Sequence, residues 1–163
     1  LNSFVKIEGL ADSKTINFAL RVKLYHQIIE NSAVGVSFVS SSIVDSKNIL
    51  QASLLAMETA VRKILDKDDK VFFDGNFLPD AFRNSPNAFA VVKGDQKIAS
   101  IAAASIVAKV SRDFFMNALN LSYPGYGWAK NVGYGVPSHL TGINKLGVNT
   151  HHRRSFKPIH NML

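Results

Sequence analysis

Residues 91–109 read VVKGDQKIASIAAASIVAK, and this stretch predicts the central unit of the fold. An apolar run ends in Lys93-Gly94-Asp95, and a long segment of small residues follows over 98–110. The alanines of that segment favour a helix with little side-chain bulk, which can lie very close to a sheet. We therefore predict a buried strand, a loop whose glycine permits the bend and whose aspartate supplies a carboxylate, and a tightly packed helix.

The polar groups of this unit resemble those of a binding site. Ser105 and Lys109 are four residues apart and so lie on one face of the predicted helix. An aspartate at the carboxyl end of a strand, followed by a lysine on the next helix, is a common arrangement for binding a metal and a phosphate. The alternative is a surface loop aspartate on an ordinary α/β unit, since loop carboxylates are frequent.

A second carboxylate follows a second apolar strand. Val71-Phe72-Phe73 leads into Asp74-Gly75-Asn76. If the two strands are neighbours, Asp74 and Asp95 meet at the carboxyl edge of the sheet, where ligands of open α/β sheets bind. Hard cations such as Mg²⁺ prefer oxygen ligands, and a pair of metals can activate a water in phosphodiester cleavage. Such a site usually has more carboxylates than these two, and each aspartate alone can simply be a turn-former.

The remaining pattern predicts an α/β layer fold in one domain. Apolar positions recur at helical spacing over 15–31 and 48–65, and a shorter helix is predicted over 137–146. A strand is predicted over 33–39, followed by a polar break at 40–42.

Composition and charge limit the classes of protein. The chain has 163 residues and a net charge of +7. It contains no cysteine, which excludes a disulfide framework and thiolate metal sites. Residues 82–163 hold ten Lys/Arg and only two Asp/Glu, whereas residues 1–81 are nearly neutral. A basic half indicates a polyanionic partner, nucleic acid first, unless the charge serves only solubility. No apolar run reaches the roughly 18 residues of a membrane span, so we expect a cytoplasmic protein without membrane contact.

The glycine-rich segment 123–135 contains three tyrosines and the single tryptophan, interleaved with a lysine. Such residues suit stacking on sugars or bases, although packing of the loop onto the core explains each of them equally well. The basic segment 151–154, His-His-Arg-Arg, is either a set of phosphate contacts or a charged tail. No GxSxG, P-loop or GxGxxG motif is present, which leaves a Ser/His/Asp hydrolase as a weak alternative.

Taken in order, the motifs of this chain resemble those of bacterial ribonuclease HII. The resemblance covers nearly the whole chain, and several of the motifs are long and specific. They are GLADSK (9–14), NILQASLLAM (48–57), DGN (74–76), VVKGD (91–95), SIAAASIVAKVSRD (100–113), YPGYG (123–127), GYG (133–135) with His139, and HHRRSF (151–156).

This resemblance implies a ribonuclease H-like mixed sheet flanked by helices, in a single domain over 1–163 with a helical, substrate-binding extension over about 120–163. It implies hydrolysis of RNA in RNA–DNA hybrids and nicking of duplex DNA at embedded ribonucleotides, with Mg²⁺ or Mn²⁺, by a protein expected to be monomeric. It assigns catalytic, metal-binding roles to Asp74 and Asp95. Nucleic-acid-binding roles fall on Lys14, Asn76, Ser105, Lys109 and Tyr134, of which Tyr134 matches the tyrosine that stacks on the sugar beside the ribonucleotide.

One segment of the family has no counterpart in these residues. Members begin with a strand carrying adjacent Asp and Glu and then a Gly-Arg-Gly loop, whereas this sequence opens at LNSFVKIEGLADSK. Glu8 and Asp12 fall in the later GLADSK region and are not substitutes. We therefore expect a ribonuclease HII without that segment; the alternatives are a truncated, non-catalytic basic nucleic-acid-binding remnant and an unrelated α/β metal-dependent phosphohydrolase.

Overall fold

The computed structural model describes residues 9–10 and 16–162. Six helices are assigned within these ranges: α1 Phe18–Asn31, α2 Ser41–Lys47, α3 Ile49–Val61, α4 Ala99–Ser122, α5 Trp128–Asn131 and α6 Pro137–Leu146. The described strands are β1 Val71–Asp74 and β2 Ala88–Val91, and short 3₁₀ turns cover Asp80–Phe82, Gly94–Gln96 and Ile159–Asn161. None of the described helices combines the length and the apolar character needed to cross a membrane.

The described part of the chain divides into two compact units. The first contains the described part of residues 1–38 together with Ser53–Val110, and the second contains Val39–Ala52 and Ser111–Leu163. This division does not test the predicted single domain over 1–163 with an extension over about 120–163, which stays a prediction.

In the first unit, β1 and β2 pair in parallel, with Val71 opposite Ala88 and Asp74 opposite Val91. This register brings the carboxyl ends of both strands to one edge, as the sequence predicted. Phe73 is buried against Phe82, and the partly buried Met57 and Val61 of α3 pack on the same cluster. The strand pair is therefore covered by the face of α3 that carries Met57 and Val61.

A second core of the first unit joins α1 to α4. Leu24 and Ile28 of α1 are buried together with Ala102, Ala103 and Ile106 of α4. The predicted narrow helix is confirmed, because α4 buries alanines where a larger side chain would hold its neighbours apart. Ile106 is fully buried.

The predicted strand over 33–39 is wrong, since these residues carry no strand pairing in the structure. Val34 and Val36 pack on the α1–α4 core, while the Lys63 ammonium of α3 donates a hydrogen bond to the Val36 carbonyl at 2.5 Å. Gly35 lies so close to α3 that a Cβ there would be 2.2 Å from the Ala60 carbonyl oxygen. An apolar run with β-branched residues has the composition of a strand, but a strand also needs a partner, and here the backbone lies against a helix.

The polar break predicted at 40–42 is instead the start of α2. The Ser40 hydroxyl caps this helix by accepting a hydrogen bond from the Ile43 N–H at 3.4 Å. Asn48, with φ 70°, separates α2 from α3, and its side chain accepts from the Gln51 N–H at 3.1 Å. The helix predicted over 48–65 is shorter at both ends: Asn48 is a cap and not a helical residue, and α3 ends at Val61.

The second unit has its own core around Trp128. Buried Met116 and Leu119 from the end of α4 pack with Tyr126, Trp128 and Ile143. The predicted helix over 137–146 is confirmed as α6. It ends at Gly147, whose φ of 81° favours glycine and whose N–H donates to the Ile143 carbonyl.

Candidate active site

Asp74 and Asp95 lie at the same edge of the strand pair. Asp74 is the last residue of β1, and its Oδ1 accepts a hydrogen bond from the Gly94 N–H at 2.8 Å. Asp95 follows Gly94 in the 3₁₀ turn between β2 and α4 and is buried. The hydrogen bond ties the end of β1 to the loop after β2, so Asp74 contacts the residue that precedes Asp95. A shared site for the two carboxylates stays a prediction.

Glycine at position 94 is required for close approach rather than for a bend. The left-handed residue of this loop is Lys93, with φ 54°, so the expectation that Gly94 supplies the bend is wrong. A Cβ on residue 94 would lie 2.4 Å from Cδ1 of Ile101 and 3.4 Å from Oδ1 of Asp74. The absent side chain allows the loop to pack onto α4 while its N–H reaches the carboxylate.

We expect Gly94→Ala to lower the free energy of unfolding by about 1–3 kcal/mol, the usual cost of overpacking a filled site. Chemical denaturation of parent and variant measures this difference. Ile101→Val removes the Cδ1 methyl that the new Cβ would meet, so the double variant should lose less stability than the two single variants added together. A Gly94→Ala protein as stable as the parent would show that the loop yields without cost.

The other predicted residues of the first unit surround this edge in different ways. Asn76 follows β1 in the turn after Gly75 and is exposed. Ser105 and Lys109 are both half-buried, one turn apart on α4, as the four-residue spacing predicted. Lys14 lies outside the described residues, so its predicted role stays a prediction.

The two carboxylates suit a hard divalent cation by their chemistry, because such ions take oxygen ligands. Within residues 9–10 and 16–162, no group of three or more histidine, cysteine, aspartate or glutamate side chains is arranged to hold a metal. Asp74 and Asp95 can therefore supply part of a coordination sphere, and the remaining ligands would come from water, substrate phosphates or carboxylates beyond these ranges.

A known protein family matches nearly the whole chain. A family model described as "Ribonuclease HII" matches residues 2–159. The chain belongs to the ribonuclease HII family. The predicted family is thereby confirmed, and with it an enzyme of the ribonuclease HII type.

Individual ribonucleases HII support the same assignment. The chain is 46% identical over 156 residues to ribonuclease HII of Ruegeria pomeroyi, covering 96% of this chain and 66% of that protein. It is 44% identical over 163 residues to ribonuclease HII of Pelagibacter ubique, covering all of this chain and 87% of the relative. The chain thus spans about two thirds of the length of the first relative and more of the second.

A solved structure confirms the fold class. The crystal structure of the ribonuclease H2 from Pyrococcus horikoshii OT3 superimposes with a TM-score of 0.75 at 22% identity, over 94% of this chain and 80% of that chain. At this identity the likeness concerns the fold alone. The predicted ribonuclease H-like α/β architecture is therefore confirmed for this ribonuclease HII chain.

The aromatic residues of the second unit separate into core and surface. Tyr126 and Trp128 are buried and stacked with ring centroids 4.9 Å apart, and Tyr123 packs its edge on Trp128. For Tyr126 and Trp128 the packing interpretation holds, whereas Tyr123 is 39% exposed. Tyr134 differs, because 67% of it is exposed, which leaves its ring available for stacking.

The loop that presents Tyr134 is fixed from inside the unit. Asn131 is buried; its side chain donates to the Tyr126 carbonyl at 2.8 Å and accepts from the Gly133 N–H at 2.9 Å. Arg112 of α4 donates to the Val132 carbonyl at 2.9 Å. The exposed ring of Tyr134 is therefore mounted on a loop with defined geometry, and the sequence pattern offered no signal for these two supports.

Proposed function

We propose that this protein cleaves RNA in RNA–DNA hybrids and nicks duplex DNA at embedded ribonucleotides. The observation that carries the proposal is the position of Asp74 and Asp95 at the carboxyl edge of two parallel strands, where Asp74 accepts from the N–H of Gly94, the residue before Asp95. Membership of the ribonuclease HII family supports the substrate class. The product strand would carry a 3′-hydroxyl.

In this proposal Asp74 and Asp95 hold Mg²⁺ or Mn²⁺. When bound, a pair of such ions would activate the attacking water and stabilise the leaving oxygen. The Gly94 N–H holds one oxygen of Asp74 in place, so this carboxylate keeps its orientation before substrate arrives. Ser105 and Lys109 would contact the phosphate from α4, and Asn76 and Lys14 would contact the nucleic acid around the site.

The assay that tests this function uses a protein in which the Asp-Glu and Gly-Arg-Gly segment of a relative precedes Leu1. It is given three labelled duplexes: an RNA–DNA hybrid, a DNA duplex with one ribonucleotide, and an all-DNA duplex. We expect metal-dependent cleavage of the first two and none of the third, with ends that a DNA polymerase can extend. Cleavage of the all-DNA duplex, or ends that resist extension, would contradict the proposal. Light scattering tests the proposed monomer, and cell fractionation tests the proposed cytoplasmic location.

A second candidate function is binding of nucleic acid without cleavage. It is favoured by the ten Lys/Arg against two Asp/Glu in residues 82–163, because basic surfaces bind phosphate backbones without sequence preference. Binding to all three duplexes with no cleavage of any of them would favour this alternative.

We expect Tyr134→Ala to slow cleavage at a lone ribonucleotide by roughly ten- to a hundredfold, on the ~1–3 kcal/mol scale of aromatic stacking. The ring is exposed and the loop is held by buried contacts, so its removal should leave the fold unchanged. Single-turnover cleavage of the one-ribonucleotide duplex measures the effect. Tyr134→Phe retains the ring and should stay close to the parent; equal rates for the alanine variant and the parent would exclude stacking by Tyr134.

A further inference from the structure

Asp45 holds a distant segment of the second unit. Its Oδ2 accepts a hydrogen bond from the Arg154 N–H at 2.8 Å, and its Oδ1 accepts from the Ser155 N–H at 2.9 Å and the Ser155 hydroxyl at 2.6 Å. Nearby on α2, the Ser41 hydroxyl donates to the Thr150 carbonyl at 2.5 Å. The helix α2 thus fixes both ends of the basic segment 150–155.

The contacts with this segment favour the charged form of the Asp45 carboxylate. Burial acts to raise the pKa of Asp45, but the hydroxyl and N–H of Ser155, the N–H of Arg154 and the charge of Arg153 together lower it below its ordinary value. A lowered pKa means that the stabilisation is present above the ordinary value of 3.8 and is lost only as the pH falls through the lowered value. The hydrogen bonds of Asp45 to Arg154 and Ser155 therefore keep a charged acceptor at neutral pH.

The segment held by Asp45 carries Arg153, on whose charge both Arg112 and Tyr134 act. The Cζ of Arg153 lies 3.9 Å from the centroid of the Phe156 ring, a cation–π contact. Burial, and then the charge of Arg112, lower the pKa of Arg153, while Asp45 and Tyr134 raise it. Arg112 and Arg153 are thus electrostatic neighbours, and Arg112 itself supports the loop of Tyr134.

We propose that Asp45 is a positioning residue that holds Arg153 beside Arg112, so that the two guanidiniums bind a phosphate of the nucleic-acid strand next to Tyr134. The proposal rests on the proposed function, because it assigns a backbone contact of the same substrate. A guanidinium presents five N–H donors in a planar fork that matches a phosphate, and Arg112 uses one nitrogen on Val132. Two like charges held together are unfavourable until an anion lies between them.

The test measures binding of a one-ribonucleotide duplex in EDTA, by fluorescence anisotropy over a range of salt concentrations. Each phosphate contact contributes a slope of about −0.9 in log affinity against log salt, or roughly tenfold in affinity near 0.1 M salt. We expect Arg153→Ala to remove about one contact. Asp45→Ala should cause a similar loss, and the double variant should lose no more than Arg153→Ala alone, since Asp45 acts through Arg153.

Controls separate positioning from folding. Lys67→Ala removes an exposed charge outside residues 82–163 and should bind as the parent does. Arg153→Lys keeps the charge but not the fork, and should fall between parent and alanine variant. If Asp45→Ala does not fold, Ser155→Ala, which removes one of the three bonds, should still weaken binding with a smaller effect.

The outcomes distinguish this inference from the proposed function. Parent-like binding and salt slope in Arg153→Ala, or additive losses in the double variant, would overturn the role of Asp45 and Arg153 whether or not the protein cleaves. Tight binding without cleavage by a protein that also carries the family's amino-terminal segment would overturn the proposed function and leave this inference standing.

Discussion

Asp74→Asn is expected to slow metal-dependent cleavage by at least about a thousandfold, because loss of a metal-binding carboxylate removes several kcal/mol of transition-state stabilisation. The experiment uses a protein in which the Asp-Glu and Gly-Arg-Gly segment of a relative precedes Leu1. Asn preserves the side-chain shape and can still accept from the Gly94 N–H, so the local fold should remain. Binding to the hybrid should be nearly unchanged, because affinity comes mainly from phosphate contacts.

Asp80→Asn is the matched control for this substitution. Asp80 belongs to the same unit, and its pairing with Arg83 at 2.7 Å is solvent-exposed, so the same change of charge should leave the rate unaltered. Asp95→Asn should act in the same direction as Asp74→Asn, with a smaller loss if water can replace it as a ligand. Parent-like turnover of the Asp74→Asn protein would remove Asp74 from the site.

A protein consisting of residues 1–163 alone is expected to show no detectable ribonuclease activity. Its described part brings together two carboxylates and no group of three metal-binding side chains, and two carboxylates cannot hold a pair of cations well. The ten Lys/Arg of residues 82–163 should still give weak binding with a strong salt dependence.

The experiment compares residues 1–163 with a protein in which the Asp-Glu and Gly-Arg-Gly segment of a relative precedes Leu1. Cleavage of a one-ribonucleotide duplex with Mg²⁺ or Mn²⁺, together with thermal denaturation, compares the two proteins. Robust cleavage by residues 1–163 would show that other carboxylates, such as Glu8, Asp12 or Asp113, complete the site.

Local signals in the sequence were sufficient for much of the fold. Helical spacing located α1 and α3, and the alanines of 98–110 located α4. Gly147 marked the end of α6, where the backbone has a positive φ that favours glycine. The same reasoning placed Asp74 and Asp95 after their strands. Placing the two aspartates at one edge of the sheet also required the assumption that the two strands are parallel neighbours, because such neighbours share their carboxyl edge. The parallel pairing of β1 with β2 satisfies this assumption.

Other features depended on contacts between residues that are far apart in the chain, which no local pattern records. The run over 33–39 has the composition of a strand, yet its backbone lies against α3. Four aromatic residues within twelve positions look alike in sequence, but packing buries Tyr126 and Trp128 and leaves Tyr134 exposed. Asp45 accepts hydrogen bonds from the backbone N–H groups of Arg154 and Ser155, which are 109 and 110 residues away in the sequence. Only the folded chain brings these groups together, so no local pattern predicts the contact.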